Sequence, residues 1–407
     1  MRADEVRELL SVEGLRLLDR IPPYRSGSDV LRTSAELRKA GHSPALVAAV
    51  LTQARLRERA KAKFGDFAER MLFTEAGLEQ ATRLPVAALH AGRYARAGLP
   101  LVADLGCGIG GDAMALAALD REVLAVERDE STAALAAYNL APFPSVTVTV
   151  GDAESTPLPD GAAVFLDPAR RTTGSSGRRV SADEWTPSLD FCFRTAAERP
   201  TGMKLAPGFD RSRIPEDLEA QWVTAGGETV ELTLWSGPLA RPGVRRSAVV
   251  LGPQGTAELT AAEDSPDAAV AALGRYVFEP AGSVIRARLI GDLARAVGAG
   301  MLSEGIAYLT GDALPDSPFL AAFEVVAVLP LDEKRISREL RDRGIGRLEI
   351  KKRGVDVDPA AFRKRLSLRG EGEATLLLAP VGGKRTAILA TRAGQPGSVT
   401  AGASTAK

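Results

Sequence analysis

Apolar residues recur at three- and four-residue spacing through the first part of the chain, at Val6, Leu9, Leu10, Leu15, Leu17 and Leu18 and again at Leu46, Val47, Val50 and Leu51. That period lets a helix bury one stripe, so residues 1–95 are expected to be helical, with Gly41 and Pro44 as punctuation. From Leu99 the pattern changes to short apolar runs bounded by turn residues and separated by amphipathic stretches such as GDAMALAALD and STAALAAYNLA. This alternation predicts parallel strands with crossover helices, the strands falling at 99–106, 122–129, 146–153, 162–170, 201–208, 228–235 and 245–252. Only SGPLARPGV separates the last two runs, which suits a reversal and an antiparallel pair at one edge. The expected fold class is α/β, a seven-stranded sheet over 96–252 behind a helical region.

Residues 253–269 are rich in Gly, Pro, Asp and Ala and read as a linker. Beyond it, 270–393 mixes a helical pattern, VIRARLIGDLARAV, with strand patterns FEVVAVLPL, RLEIKKRG, EATLLLAP and RTAILATR, as in a small α+β domain. The tail 394–407 has too few large apolar residues to pack and is expected to be mobile.

A length of 407 residues suits two or three such units. With 45% hydrophobic and 26% charged residues, the chain has the balance of a folded soluble protein. The charged N-terminus and the lack of a long apolar run signal neither export nor membrane insertion, so a cytoplasmic location is expected. Two cysteines, Cys107 and Cys192, cannot frame a disulfide scaffold or fill a zinc site. Two histidines, His42 and His90, leave little room for imidazole-based nucleophilic catalysis, and no metal is expected. Both are read as structural or surface residues.

The 52 basic and 52 acidic residues cancel, but they are segregated. From Lys334 to Arg369 there are thirteen Lys or Arg against five Asp or Glu, a net charge of +8. An acidic body therefore bears one basic region. The run ARLRERAKAK at 54–63 is also basic, but its pattern suits a solvated helix face.

The densest chemical signal is VADLGCGIGGD, Val102 to Asp112: an apolar strand that ends in an acid, turns on glycines and opens a helix. Glycines let backbone approach a ligand without a Cβ in the way, while Asp104 and Asp112 offer acceptors for cationic or hydroxyl donors. Gly106, Gly108 and Gly111 also satisfy a dinucleotide fingerprint, with Glu127 about 20 residues on as a ribose acid. Acids at 104 and 112 oppose capture of a diphosphate by a helix N-terminus and favour a cationic ligand.

The form acid-x-Gly-x-Gly-x-Gly, met here by DLGCGIG, resembles the cofactor loop of class I S-adenosylmethionine-dependent methyltransferases. The resemblance implies a Rossmann-like methyltransferase domain that binds S-adenosylmethionine. It implies that Asp104 and the loop of Gly106, Gly108 and Gly110 lie near the methionine part, with Asp112 at the helix opening. Glu127 is then expected to accept from the ribose hydroxyls, and Asp152 with Ala153 to flank the adenine.

The fourth strand ends in VFLDPARR, followed by the loop TTGSSGRR, and projects Asp167 and a stiffening Pro168 from the sheet edge where open α/β sheets bind ligands. DPAR resembles the Asp-Pro-Pro-aromatic motifs of enzymes that methylate base nitrogens, with Arg170 where an aromatic would stack. Asp167, Pro168 and Arg170 are the catalytic candidates: Asp167 to orient the acceptor and take its proton, Arg170 to position the substrate. The segment Lys63 to Arg83 resembles one that folds over the cofactor in related RNA methyltransferases, with Phe73 and Thr74 as contacts; helix packing is the alternative. Residues 270–393 resemble a THUMP-like domain, which implies RNA, tRNA or rRNA, as partner; the scarcity of aromatics among its basic residues points to backbone or shape recognition. The expected function is methylation of a base in RNA. The alternatives are a protein or small-molecule methyltransferase, an inactive RNA-binding relative, or a nicotinamide oxidoreductase.

Overall fold

A computed structural model of the chain describes residues 1–22, 24, 27–170 and 185–394. The tail beyond Gly394, the TTGSSGRR loop and the side chain of Arg170 lie outside the described residues.

The N-terminal region is helical as expected: α1 (Ala3–Leu9), α2 (Val12–Arg20), α3 (Gly27–Lys39), α4 (Pro44–Phe64), α5 (Glu75–Gln80) and α6 (Leu84–Arg96). Local chemistry sets the boundaries. Ser11 Oγ accepts from Gly14 N at 3.0 Å to cap α2, and Ser43 Oγ accepts from Leu46 N at 3.1 Å to cap α4, where Pro44 fills the first position. Val6, Leu9, Leu18, Leu46 and Val50 bury their stripe together with Leu72 and Leu135.

The sheet follows as β1 (Leu101–Leu105), α7 (Gly111–Ala117), β2 (Glu122–Glu127), α8 (Glu130–Leu140), β3 (Val146–Val150) and β4 (Ala163–Leu166). A two-residue ribbon, β5 (Ala169–Arg170) with β6 (Trp185–Thr186), precedes α9 (Leu189–Glu198) and β7 (Thr201–Leu205). Then come β8 (Glu219–Ala225), β9 (Glu228–Trp235), β10 (Arg246–Gly252) and β11 (Gly255–Ala261). The strand order is β11-β10-β8-β9-β7-β4-β1-β2-β3. All seven expected strands form, and β1, β2, β3, β4 and β7 are parallel neighbours. The chain winds outward from β1 through β2 to β3 and then returns to β4 on the other side of β1. This reversal opens a crevice at the C-terminal ends of β1 and β4.

Two strands depart from expectation. β8 separates β9 from β10, so the last two expected strands are not neighbours; β10 instead pairs parallel with β8. The run EAQWVTA hides its strand character behind Glu219, Gln221 and Thr224, all buried. Each has a partner: Arg93 and Arg241 on Glu219, Ser247 and Glu258 around Gln221, and Ser283 N donating to Thr224 Oγ1. The expected linker contributes β11, an antiparallel edge strand on β10.

A second sheet is built from β12 (Tyr276–Pro280), β13 (Gly300–Ser303), β14 (Ile306–Gly311), β15 (Leu320–Pro330), β16 (Ile345–Lys352), β17 (Gly372–Val381) and β18 (Lys384–Arg392), in the order β13-β14-β12-β15-β18-β17-β16. The helix expected at 284–297 is two, α10 (Gly282–Arg286) and α11 (Ile290–Ala296), broken where Arg288 adopts φ 60°. The helices α12 (Glu333–Asp342) and α13 (Pro359–Arg365) cover one face of this sheet. There Ile336, Leu340, Phe362 and Leu366 pack on Leu376, Leu378, Ala387 and Leu389, while the alternate residues Leu377, Ala379, Ile388 and Ala390 form a separate core on the other face. By internal packing the chain gathers into two compact units, residues 1–219 with 233–241, and residues 220–232 with 242–407. Among the described residues no helix is long and apolar enough to cross a membrane.

Candidate active site

The crevice beside β1 and β4 is a cavity of about 640 Å³. Asp104, Gly106, Gly108, Asp112, Glu127, Asp152, Ala153 and Asp167 all line it, so eight of the residues singled out from sequence meet at one place. Gly108 adopts φ 54°, and a Cβ there would project into open space, as a loop that receives a ligand requires. Gly108 N donates to Glu127 Oε2 at 3.1 Å, and Asp129 N donates to Glu127 Oε1 at 2.9 Å, so this acid is held at the end of β2 with acceptor capacity to spare. Asp152 Oδ1 accepts from Glu154 N at 2.9 Å at the turn after β3.

Four residues singled out from sequence do not reach the wall. Gly110 caps α7 with φ 87°, and a Cβ there would lie 2.8 Å from Leu140 Cδ1, so this glycine serves packing. Pro168 is buried and does not line the cavity. Phe73 is in the core with its ring 5.7 Å from Phe64, and its backbone is held by Gln53, which donates to Phe73 O at 2.7 Å and accepts from Phe73 N at 3.0 Å. Thr74 caps α5 by accepting from Gly77 N at 2.9 Å. The segment does reach the cavity, but through Gly77 and Gln80 of α5 and Ala81 and Thr82 just after it. Gly77 lets α5 approach the glycine loop, since a Cβ on it would sit 2.6 Å from Ile109 Cγ2.

Asp104 is 1% exposed, and its Oδ2 meets no hydrogen-bond partner among the described residues. Burial pushes its carboxyl well above the usual carboxylate range, and the charges of Asp112 and Asp167 push the same way. Asp112 behaves differently under similar burial. Burial pulls it upward, but hydrogen bonds and charge from His90, the Lys204 ammonium and the Thr82 hydroxyl outweigh that, and it lies below the ordinary carboxylate value. Thr82 Oγ1 donates to Asp112 Oδ2 at 2.7 Å, and His90 Nδ1 lies 2.8 Å from Asp112 Oδ1. His90 is buried, with Phe165 at 5.0 Å and Trp235 at 6.0 Å between ring centroids, so it is structural and not on the surface.

Sequence reasoning missed two residues that shape the site. Lys204, on β7, lines the cavity and pairs with Asp167 Oδ2; the signal was a lone lysine at the end of the apolar strand TGMKL. Asn139, on α8, accepts from Leu72 N at 2.7 Å and donates to Leu72 O and Ile109 O, both at 2.9 Å, tying the segment before β1 to the glycine loop. Nothing local marks an asparagine in YNLA for that task.

Against known families, residues 103–165 match a methyltransferase domain, 320–392 match a THUMP domain-like family and 2–60 match a domain of unknown function. Two Mycobacterium tuberculosis proteins, from strains CDC 1551 and H37Rv, are named uncharacterized S-adenosylmethionine-dependent methyltransferases. Each is 33% identical over 335 residues, which span 80% of this chain and 91% of theirs. A solved structure of a methyltransferase-class protein from Porphyromonas gingivalis W83 shares the fold at a TM-score of 0.69 and 20% identity, covering 91% of this chain and 99% of that one. The chain belongs to the class I S-adenosylmethionine-dependent methyltransferases and carries a THUMP-like domain toward its C-terminus. These findings set aside the nicotinamide alternative.

The residues present fit that cofactor. The orphaned Oδ2 of Asp104 is an acceptor awaiting a donor such as an ammonium, the open backbone at Gly108 leaves room for a close approach, and Glu127 keeps lone pairs for hydroxyl donors. Five acids at the wall outnumber its two cations, Arg128 and Lys204, and favour a ligand that carries positive charge.

Proposed function

We propose that this methyltransferase modifies a base nitrogen in RNA, tRNA or rRNA, and that its THUMP-like region supplies the cationic surface that holds the RNA. The observation that carries the reading is a set of exposed cations without counter-charges. Of the thirteen basic residues from Lys334 to Arg369, five pair with carboxylates: Arg343 with Glu339, Arg347 with Glu373, Lys351 and Arg353 with Glu279, and Arg365 with Glu333. Among the described residues, Lys334, Arg335, Arg338 and Arg341 on α12 and Arg363 and Lys364 on α13 have no acidic partner and face solvent. Lys334, Arg338 and Arg341 recur at four and three positions, opposite the buried Ile336 and Leu340. A folded, unneutralised cationic face of this kind suits the regular phosphates of a nucleic acid backbone.

At the cavity, S-adenosylmethionine supplies, when bound, a methyl group already activated on a sulfonium, so the protein needs alignment more than acid or base strength. Asp104 and the glycine loop hold the donor side. Asp167 faces the acceptor side, orients the base nitrogen by accepting its N–H, and takes its proton as the nitrogen–carbon bond forms and the carbon–sulfur electron pair returns to sulfur. Arg170, three residues further along the chain, is assigned the positioning of the substrate.

The test is transfer of labelled methyl to total RNA from cells lacking the protein, followed by nucleoside mass spectrometry. One labelled methylated nucleoside is expected. Label in protein or small molecules, with none in RNA, overturns the reading.

A further inference from the structure

The pairing of β4 with β7 runs parallel with Leu166 opposite Met203, so the next residues, Asp167 and Lys204, emerge side by side at the sheet edge. Lys204 Nζ donates to Asp167 Oδ2 and also to Thr82 Oγ1 at 3.1 Å and Gln80 O at 3.3 Å. The pair is largely withdrawn from water, with side-chain exposures of 14% for Lys204 and 29% for Asp167. Thr82 is itself fixed, since its hydroxyl donates onward to Asp112, which His90 secures from α6. A single chain of contacts therefore runs from the cavity wall into the core: Asp167, Lys204, Thr82, Asp112, His90. A lysine on a flexible four-carbon stem is a poor anchor unless its ammonium is held, and here it is held from three directions.

We propose that Lys204 is a positioning residue for methyl transfer, clamped by Thr82 and Gln80 so that it holds the Asp167 carboxylate charged and in one orientation toward the acceptor. This rests on the reading that Asp167 takes the acceptor proton. Among the described residues, the charged groups near Asp167 include Lys204 from β7, Asp104 from β1 and Lys63 from α4, with Asp112 of α7 close to Lys204. Lys63 is spent elsewhere: its Nζ donates to Leu78 O, Glu79 O and Ala81 O at the end of α5. Removing the Lys204 ammonium takes a positive charge from beside Asp167 and so favours its protonated form, and a protonated carboxyl can no longer accept the proton of the base nitrogen.

The test uses the full-length protein labelled with carbon-13 at the aspartate carboxyls, with Asp167→Asn to assign the resonance. In Lys204→Met the titration of Asp167 is expected to move up by about one pH unit or more, tenfold in proton affinity, and Lys204→Arg to return most of the shift. Thr82→Val, which removes only the clamp, moves it in the same direction by less, and serves if Lys204→Met does not fold. Methyl transfer to RNA by Lys204→Met is expected to fall relative to the unsubstituted protein as pH drops, by up to about tenfold below both Asp167 midpoints, and to differ little at pH 8, with KM for S-adenosylmethionine within about twofold. An unmoved Asp167 resonance in the variants overturns the proposal, as does a shifted resonance with an unchanged pH profile. Absence of transfer to RNA by the unsubstituted protein overturns the substrate reading instead, and the carboxyl titration still decides whether Lys204 sets the state of Asp167.

Discussion

Lys204 and Lys334 carry the same ammonium in opposite settings. The first is 14% exposed and touches a carboxylate, a hydroxyl and a carbonyl; the second lies on the open face of α12 with no acidic partner among the described residues. In the cavity, a charge or its absence is dictated by one or two neighbours, as Asp104 and Asp112 show: both are buried, yet they are driven to opposite sides of the usual carboxylate value because only one has a histidine and a hydroxyl on it. On the α12–α13 face, charge is unconditional, screened by water and salt, and useful only as a sum. The difference teaches where single substitutions should matter. In the cavity one atom changes the chemistry; on the face only several cations together change an affinity.

The largest effect is expected at Asp167. Asp167→Ala should reduce methyl transfer by about 10²- to 10⁴-fold, the range of a positioned proton acceptor, while affinity for S-adenosylhomocysteine, followed by calorimetry, stays nearly unchanged. Equal loss of both would remove Asp167 from the acceptor side of the cavity.

Asp104→Asn comes next and should divide stability from binding. The folded state holds the Asp104 proton more tightly than the unfolded chain does, so this group's contribution to stability is full below the ordinary carboxylate pKa and declines as pH rises above it toward the folded value. An amide cannot ionise, so the variant should melt higher than the unsubstituted protein at pH 8, with the gap closing toward pH 4. It should nonetheless bind cofactor about tenfold more weakly, because a carboxylate acceptor for a cationic donor has gone. Thermal melts across that pH range, with calorimetry beside them, make the check; a variant that melts lower at pH 8 refutes the cost assigned to the orphaned oxygen.

The same contrast explains what was legible in the sequence. The glycine turn, the acids at successive strand ends and the DPAR edge could be read because parallel strands put their C-terminal residues together by topology alone. All seven strands were visible for the same reason, as apolar runs. β8 was not, because its polar residues Glu219, Gln221 and Thr224 are matched by partners 22 to 126 residues away, and such pairing has no local signature. Phe73 and Thr74 were placed at the cofactor by family likeness. Their neighbours Gln53 and Asn139, distant amides in helical sequence, turn that backbone inward and leave the cavity to Gly77 and Thr82. Lys204 was passed over because an isolated lysine on a strand reads as an edge residue until its cross-strand neighbour is known.

The smallest effects are expected where basic sequence is compared with basic surface. The run at 54–63 is as rich in cations as α12, but Arg55 and Arg59 are engaged by Glu75, and Lys61 by Glu58 at 3.0 Å. Neutralised cations release few counterions from an incoming backbone. Arg338→Glu combined with Arg363→Glu should therefore weaken RNA binding about tenfold and lower the slope of log affinity against log salt by about two, one for each phosphate that is no longer neutralised. Arg55→Ala combined with Arg59→Ala should leave both within experimental scatter. Filter binding over rising salt measures the two pairs side by side. If the α4 pair matters as much as the α12–α13 pair, then total charge, and not unpaired charge, selects the RNA surface.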